Sequence, residues 1–117
     1  MKTRLILIIF LLFVGIASKA QQNEELLTEI RKCEKQVEND RYTLSDSIKY
    51  FALRQLELAH QLNDSIEIGK AHLTLGIANY NLADYQAEIN HLMTAKSIFS
   101  KLDNEYNLYR TYLEISS

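Results

Sequence analysis

Apolar residues follow two patterns along the chain. From Leu5 to Ala17 they run without a break. Later they recur every three or four positions, as Leu26, Ile30, Cys33 and Val37 do, and so share one stripe of a helix. No stretch alternates as a half-buried strand does. The spacing predicts a first helix from about Glu24 to Glu38 and a connection over Asn39–Tyr42. Further helices end near Leu62, Leu82 and Leu102, and a fifth opens after Asp103-Asn104.

Helix starts carry their own marks. Thr43 with Asp46, and Asp64 with Glu67, read as capping boxes with an acid near the positive helix end. Asp84 is placed to cap the fourth helix. Two segments also repeat. Leu58–Asp64 precedes Ile98–Asn104 by about forty residues, and Glu67–Leu75 precedes Glu105–Leu113 by about as many. A helix pair that recurs along a chain predicts a stacked array, in which each unit covers the apolar face of the next.

The first twenty residues change that picture. Lys2 and Arg4 precede the apolar run, and Ser18-Lys19-Ala20 offers small residues where a signal peptidase reads. The run is short of the ~20 residues of a membrane span. Residues 1–20 are therefore expected to be a signal peptide, cleaved before Gln21, with an uncleaved anchor as the alternative. No Cys follows the run closely enough for a lipoprotein. The remaining chain keeps all 15 acids but loses Lys2, Arg4 and Lys19 from the 13 bases, a net charge of −5. That balance argues against nucleic-acid partners. One cysteine excludes an internal disulfide.

The stretch from Ala71 to Ala95 resembles one tetratricopeptide repeat (TPR), a helix–turn–helix unit. Leu75-Gly76 matches the Leu-Gly pair of the family's first helix. Asp84-Tyr85 matches the acidic-aromatic pair that opens its second, and Ile89 and Ala95 match later apolar and small positions. His72 and Asn79 depart from the family's Trp and Tyr, and no Pro ends the repeat. The resemblance implies an all-α, right-handed stack of antiparallel hairpins. It would comprise a hairpin over 24–62, a full repeat over 65–102 and a half repeat over 104–117. Leu75, Gly76, Tyr85, Ile89 and Ala95 would pack the repeats. Gly76 is also a physical signal, because Gly inside a helix costs ~1 kcal/mol against Ala. A close approach from the second helix, with Ala95 as the expected contact, would explain it.

In such arrays the first helix of each repeat lines a concave groove. By resemblance, Lys70, Leu73, Thr74, Ile77, Tyr80 and Asn81 would line it here. Only Lys70 among them is basic, which argues against a clamp for a peptide's C-terminal carboxylate. The favoured partner is an apolar segment or amphipathic helix, although stacking on a further repeat would use the same apolar residues.

Catalytic and metal signals are sparse. His60, His72 and His91 lack the paired spacing of metal ligands. His72 and His91 could face one another across the hairpin, in a packing role. Cys33 lies on an apolar stripe, as a buried inert thiol would. Gly15, Gly69 and Gly76 are isolated and form no phosphate loop. No enzyme, cofactor or metal is expected. The expectation is an exported, periplasmic interaction scaffold. It would be the front of a larger signalling protein, similar to the exported regions of TPR-containing sensor kinases and transcription regulators, or a truncated frame of one. A free-standing adaptor and a self-associating structural bundle are the alternatives. The last helix carries Tyr106, Leu108, Tyr109, Tyr112, Leu113 and Ile115 with nothing after it to cover them. That predicts either a longer array or self-association through residues 105–117.

Overall fold

The computed structural model describes residues 2–43 and 45–117. They form five helices and, among the described residues, no strand. The helices are α1 (Lys2–Asp40), α2 (Ser47–Leu62), α3 (Ser65–Asn81), α4 (Tyr85–Lys101) and α5 (Glu105–Ser116).

Three helix starts are built alike. The side chain of Asp64 accepts from the Glu67 N–H at 3.1 Å, Asp84 from Ala87 at 3.2 Å, and Asn104 from Asn107 at 3.1 Å. Each cap satisfies an N–H that the first helical turn leaves without a partner. The residue before each cap is left-handed: Asn63, Ala83 and Asp103 have φ of 56°, 59° and 51°. At the ends of α3 and α4, Asp84 N–H reaches the Asn79 carbonyl and Asn104 N–H reaches Phe99, which closes the preceding helix. Caps at positions 64, 84 and 104 therefore set one helix per twenty residues and one hairpin per forty.

Two starts differ from expectation. The Thr43–Asp46 box does not form. Thr43 instead gives both its N–H and its hydroxyl to the Asp40 carbonyl, each at 2.9 Å. That holds it in the turn closing α1, and Asp46 makes no side-chain cap bond. The first helix also begins at Lys2 rather than near Glu24, so the apolar run and Gln21–Asp40 form one helix. Leu5 to Ile16 stay exposed. The whole helix α1 is long enough, and near its N-terminus apolar enough, to cross a membrane, and a signal sequence meets the same description.

Consecutive helices pack together. In addition α1 touches α3, and α3 touches α5. The helix α3 thus meets all four others, which explains why ten of its residues are buried. Val37, Ile48, Ala52 and Leu75 join α1, α2 and α3. Ile30, Cys33, Leu58 and Ala71 extend that core. Leu73, Leu92, Ala95 and Phe99 join α3 to α4. The two glycines of α3 let α4 come close. A Cβ on Gly69 would lie 2.7 Å from the Phe99 ring, and one on Gly76 would lie 2.5 Å from Leu92 Cδ2. The neighbour of Gly76 is therefore Leu92, not Ala95. In this antiparallel pair Gly76 stands level with Glu88–Leu92, and Ala95 is buried further along.

Tyr85 and Ile89 do not pack the hairpin as expected, being 60% and 38% exposed. The helix α4 has 17 residues and α5 has 12, so the first turn of α4 extends past the end of its antiparallel neighbour. On α5, Leu108 and Ile115 are covered after all, against the Leu73–Phe99 cluster. Tyr106, Tyr109, Tyr112 and Leu113 remain exposed.

Candidate functional site

A groove of about 340 Å³ opens where α1, α3 and α5 lie side by side. Thr74 and Ile77 of α3 and Val37 of α1 form its floor, Arg31, Glu34, Lys35 and Glu38 line it along α1, and Arg110 closes it from α5.

Of the six groove residues expected on α3, Thr74 and Ile77 are placed there. Lys70 stands beside the groove, 3.6 Å from Glu34 and 3.7 Å from Glu67. Leu73 is turned to the other side and is buried with Leu92 and Phe99, one helical position being a rotation of about 100°. Tyr80 lies outside, against Tyr85 with ring centres 6.0 Å apart. Asn81 is structural: its amide donates to the carbonyls of Arg41 at 2.8 Å and Thr43 at 2.9 Å and so ties the α1–α2 connection onto the end of α3.

Charges organise the walls. Arg31 bonds both oxygens of Glu67, at 2.5 and 2.9 Å, and also pairs with Glu34. Glu67 is nearly buried, so its carboxylate depends on this two-pronged partner. The hydrogen bond that Arg31 donates to Glu67 holds the Arg31 pKa above its ordinary value, helped by the charge of Glu34 and opposed by burial. Arg41 spans to both oxygens of Glu114 on α5 at 3.1 Å and also meets Glu38. The carboxylates lining the groove, Glu34 and Glu38, each lie in an ion pair, with Arg31 and Arg41, which they share with Glu67 and Glu114. Lys35 and Arg110 make no ion pair among the described residues. Among the described residues Arg110 is held by Asn107 Oδ1 at 3.3 Å and by the Tyr106 ring. The groove therefore presents an apolar floor between two cations that form no ion pair among the described residues, on α1 and on α5. The Thr74 hydroxyl that lines it donates to the Lys70 carbonyl.

The remaining candidates lie elsewhere. Cys33 is buried between α1 and α2, and burial pushes its thiol pKa up despite the opposing charge of Arg54. His72 and His91 meet across α3 and α4, with their Nδ1 atoms 3.0 Å apart. Burial, then the neighbouring His91 and His60, lower the His72 pKa to about 4. Burial also lowers that of His91, against the pull of Asp84. No group of three or more His, Cys, Asp or Glu side chains is placed to hold a metal ion among the described residues.

Sequence reasoning missed Lys35 and Arg110. The signal available was their alignment: they lie on the first and fifth helices, which flank the third when helices alternate between two layers. Compared with known proteins, the chain matches no family model, no curated protein and no solved structure.

Proposed function

We propose that the chain is a non-catalytic protein-interaction scaffold, a TPR-like right-handed stack whose groove takes an extended or helical segment of a partner protein. The observation that carries this reading is the groove between α1, α3 and α5, with Ile77 and Val37 on its floor and Lys35 and Arg110 unpaired on its walls. An apolar side chain flanked by acidic ones complements it in both shape and charge. The twenty-residue spacing of the caps supports the stack, since like turns at a regular interval repeat the helix–turn unit along an axis.

Display of a random peptide library on the chain tests the reading. Enriched peptides should pair an apolar residue with acids and should lose binding to Ile77→Glu and to Lys35→Glu/Arg110→Glu. Enrichment of no peptide class, or of peptides indifferent to these substitutions, contradicts it.

The basic residues Lys2 and Arg4 ahead of the apolar run support export, with cleavage before Gln21. Mass spectrometry of the exported chain should find Gln21 at its N-terminus, and an intact form confined to the cytosol contradicts this. The exposed Tyr106, Tyr109 and Leu113 favour a second contact, in which α5 packs on a following helix of a larger signalling protein or on another copy. Sedimentation of the chain with Tyr109→Lys and Leu113→Lys separates the two: only self-association is lost with those substitutions.

A further inference from the structure

The caps Asp64 and Asn104 set α3 and α5 in one register, forty residues apart. Burial then agrees along one side of both helices. Glu67 and Ala71 are buried, and so are Asn107 and Thr111. The two helices differ where α3 turns to α4. There Gly69 meets Phe99, His72 meets His91, Leu73 joins the cluster of Leu92 and Phe99, and Gly76 meets Leu92. The counterparts on α5 are Tyr109, Tyr112, Leu113 and Ser116. All four are exposed, the first three at 62%, 45% and 49%. The open stripe of α5 is thus the face that on α3 carries an antiparallel helix.

The residues of the stripe select the helix that fits. On α3 each glycine makes room for a large side chain of α4. Tyr109 stands in the place of Gly69, so a helix built like α4 would drive its own Phe99 counterpart into the Tyr109 ring. A second α5 avoids this. Tyr106, Tyr109, Leu113 and Ser116 recur at spacings of three, four and three, the seam of a two-helix coil. They are centred level with Thr111, at the middle of Glu105–Ser116. Two copies related by a two-fold axis at that level run antiparallel over their full length. Each Tyr109 then lies on the partner's Leu113 and each Tyr106 on the partner's Ser116, so that the stripe is complementary to itself. No charged residue lies on the seam. Covering this stripe and Tyr112 on both copies removes ~1,000 Å² from water, the size of a weak, concentration-dependent interface.

We infer that α5 is the seat of a two-fold, antiparallel homodimer, closed by Tyr109 on the partner's Leu113. This commits the α5 contact proposed above, on which it rests, to a second copy of the chain. Cross-linking between two preparations of the full chain in mild detergent tests it, one carrying Tyr109→Cys and the other Leu113→Cys. Both positions are exposed, so neither cysteine disturbs the core. The native Cys33 is buried, and the unsubstituted chain serves as the blank. Four residues of helix rise ~6 Å, which puts like positions too far apart for a disulfide and leaves 109 beside 113. Mild oxidation of the mixture should give at least about threefold more disulfide dimer than either preparation alone. Adding Tyr106→Lys to both should remove the excess. A mixture that yields no more than the single preparations, or no cross-link in any of them, overturns the homodimer. The groove is read separately, by acidic-apolar peptide binding: peptide bound without the cross-link removes the dimer alone, and the cross-link without bound peptide removes the groove alone.

Discussion

Gly76 and Leu92 occupy the same space to within a methyl group: a Cβ on the glycine would lie 2.5 Å from the leucine's Cδ2 and 2.8 Å from its Cγ. Leu92 is 1% exposed and has nowhere to retreat. Gly76→Leu should therefore cost ~2 kcal/mol or more through overpacking, although leucine is the better helix former. Thermal unfolding of the two proteins measures it. A higher melting temperature for the variant would mean that the hairpin is looser than described.

Ala83 shows the opposite balance. It ends α3 at φ 59°, where an L side chain crowds the backbone and glycine does not. Its neighbours in the same role, Asn63 and Asp103, are residue types that tolerate this region better. Ala83→Gly should stabilise the chain by ~1 kcal/mol. A urea midpoint that fails to rise would show that the turn carries no strain.

Gln55 lies inside α2 at 0% exposure, and neither its Nε2 nor its Oε1 has a hydrogen-bond partner among the described residues. Such a group costs ~1–3 kcal/mol of desolvation. Gln55→Met keeps the length of the side chain and removes the polar atoms, so we expect a gain of ~1 kcal/mol. A loss on chemical unfolding would reveal a satisfied amide, bridged by a buried water.

The histidine pair makes stability depend on pH in a definite direction. Its folded pKa values lie below the ordinary 6.5, His72 at about 4, so the unfolded chain takes up protons first as pH falls. Stability should be full above pH 6.5 and decline toward pH 4. The part due to the pair is ~1–2 kcal/mol once solvent screening of the half-exposed rings is allowed for. Unfolding free energies of wild type and His72→Gln across that window should differ in slope. Parallel curves would show that folding leaves the His72 pKa where the unfolded chain has it. Comparison with the variant also separates the pair from carboxylates that titrate at lower pH.

Much of the fold is legible because it is written locally. Asp64, Asp84 and Asn104 each cap an N–H three residues on, so their role needs no knowledge of the rest of the chain. The groove is a different matter. Ala71, Leu73, Leu75, Ile77 and Ala78 are all buried, because α3 is surrounded, and a helix that is apolar nearly all round does not announce which side faces which neighbour. Leu73 and Thr74 are adjacent in sequence and look to different places for that reason. Glu34 and Glu38 meet Arg31 and Arg41 three positions away, but the pairs that fix those arginines across helices, Arg31–Glu67 and Arg41–Glu114, join residues 36 and 73 positions apart, beyond any local pattern. Lys35 and Arg110 stand out only once those pairs are known.

The most direct test is where a partner binds. Chemical-shift mapping of the ¹⁵N-labelled chain with a displayed acidic-apolar peptide locates it residue by residue. The account predicts shifts concentrated at Lys35, Thr74, Ile77 and Arg110, lost in Lys35→Glu/Arg110→Glu. Shifts confined to Tyr106, Tyr109 and Leu113, with the groove silent, would contradict it and move the interaction to the outer face of α5.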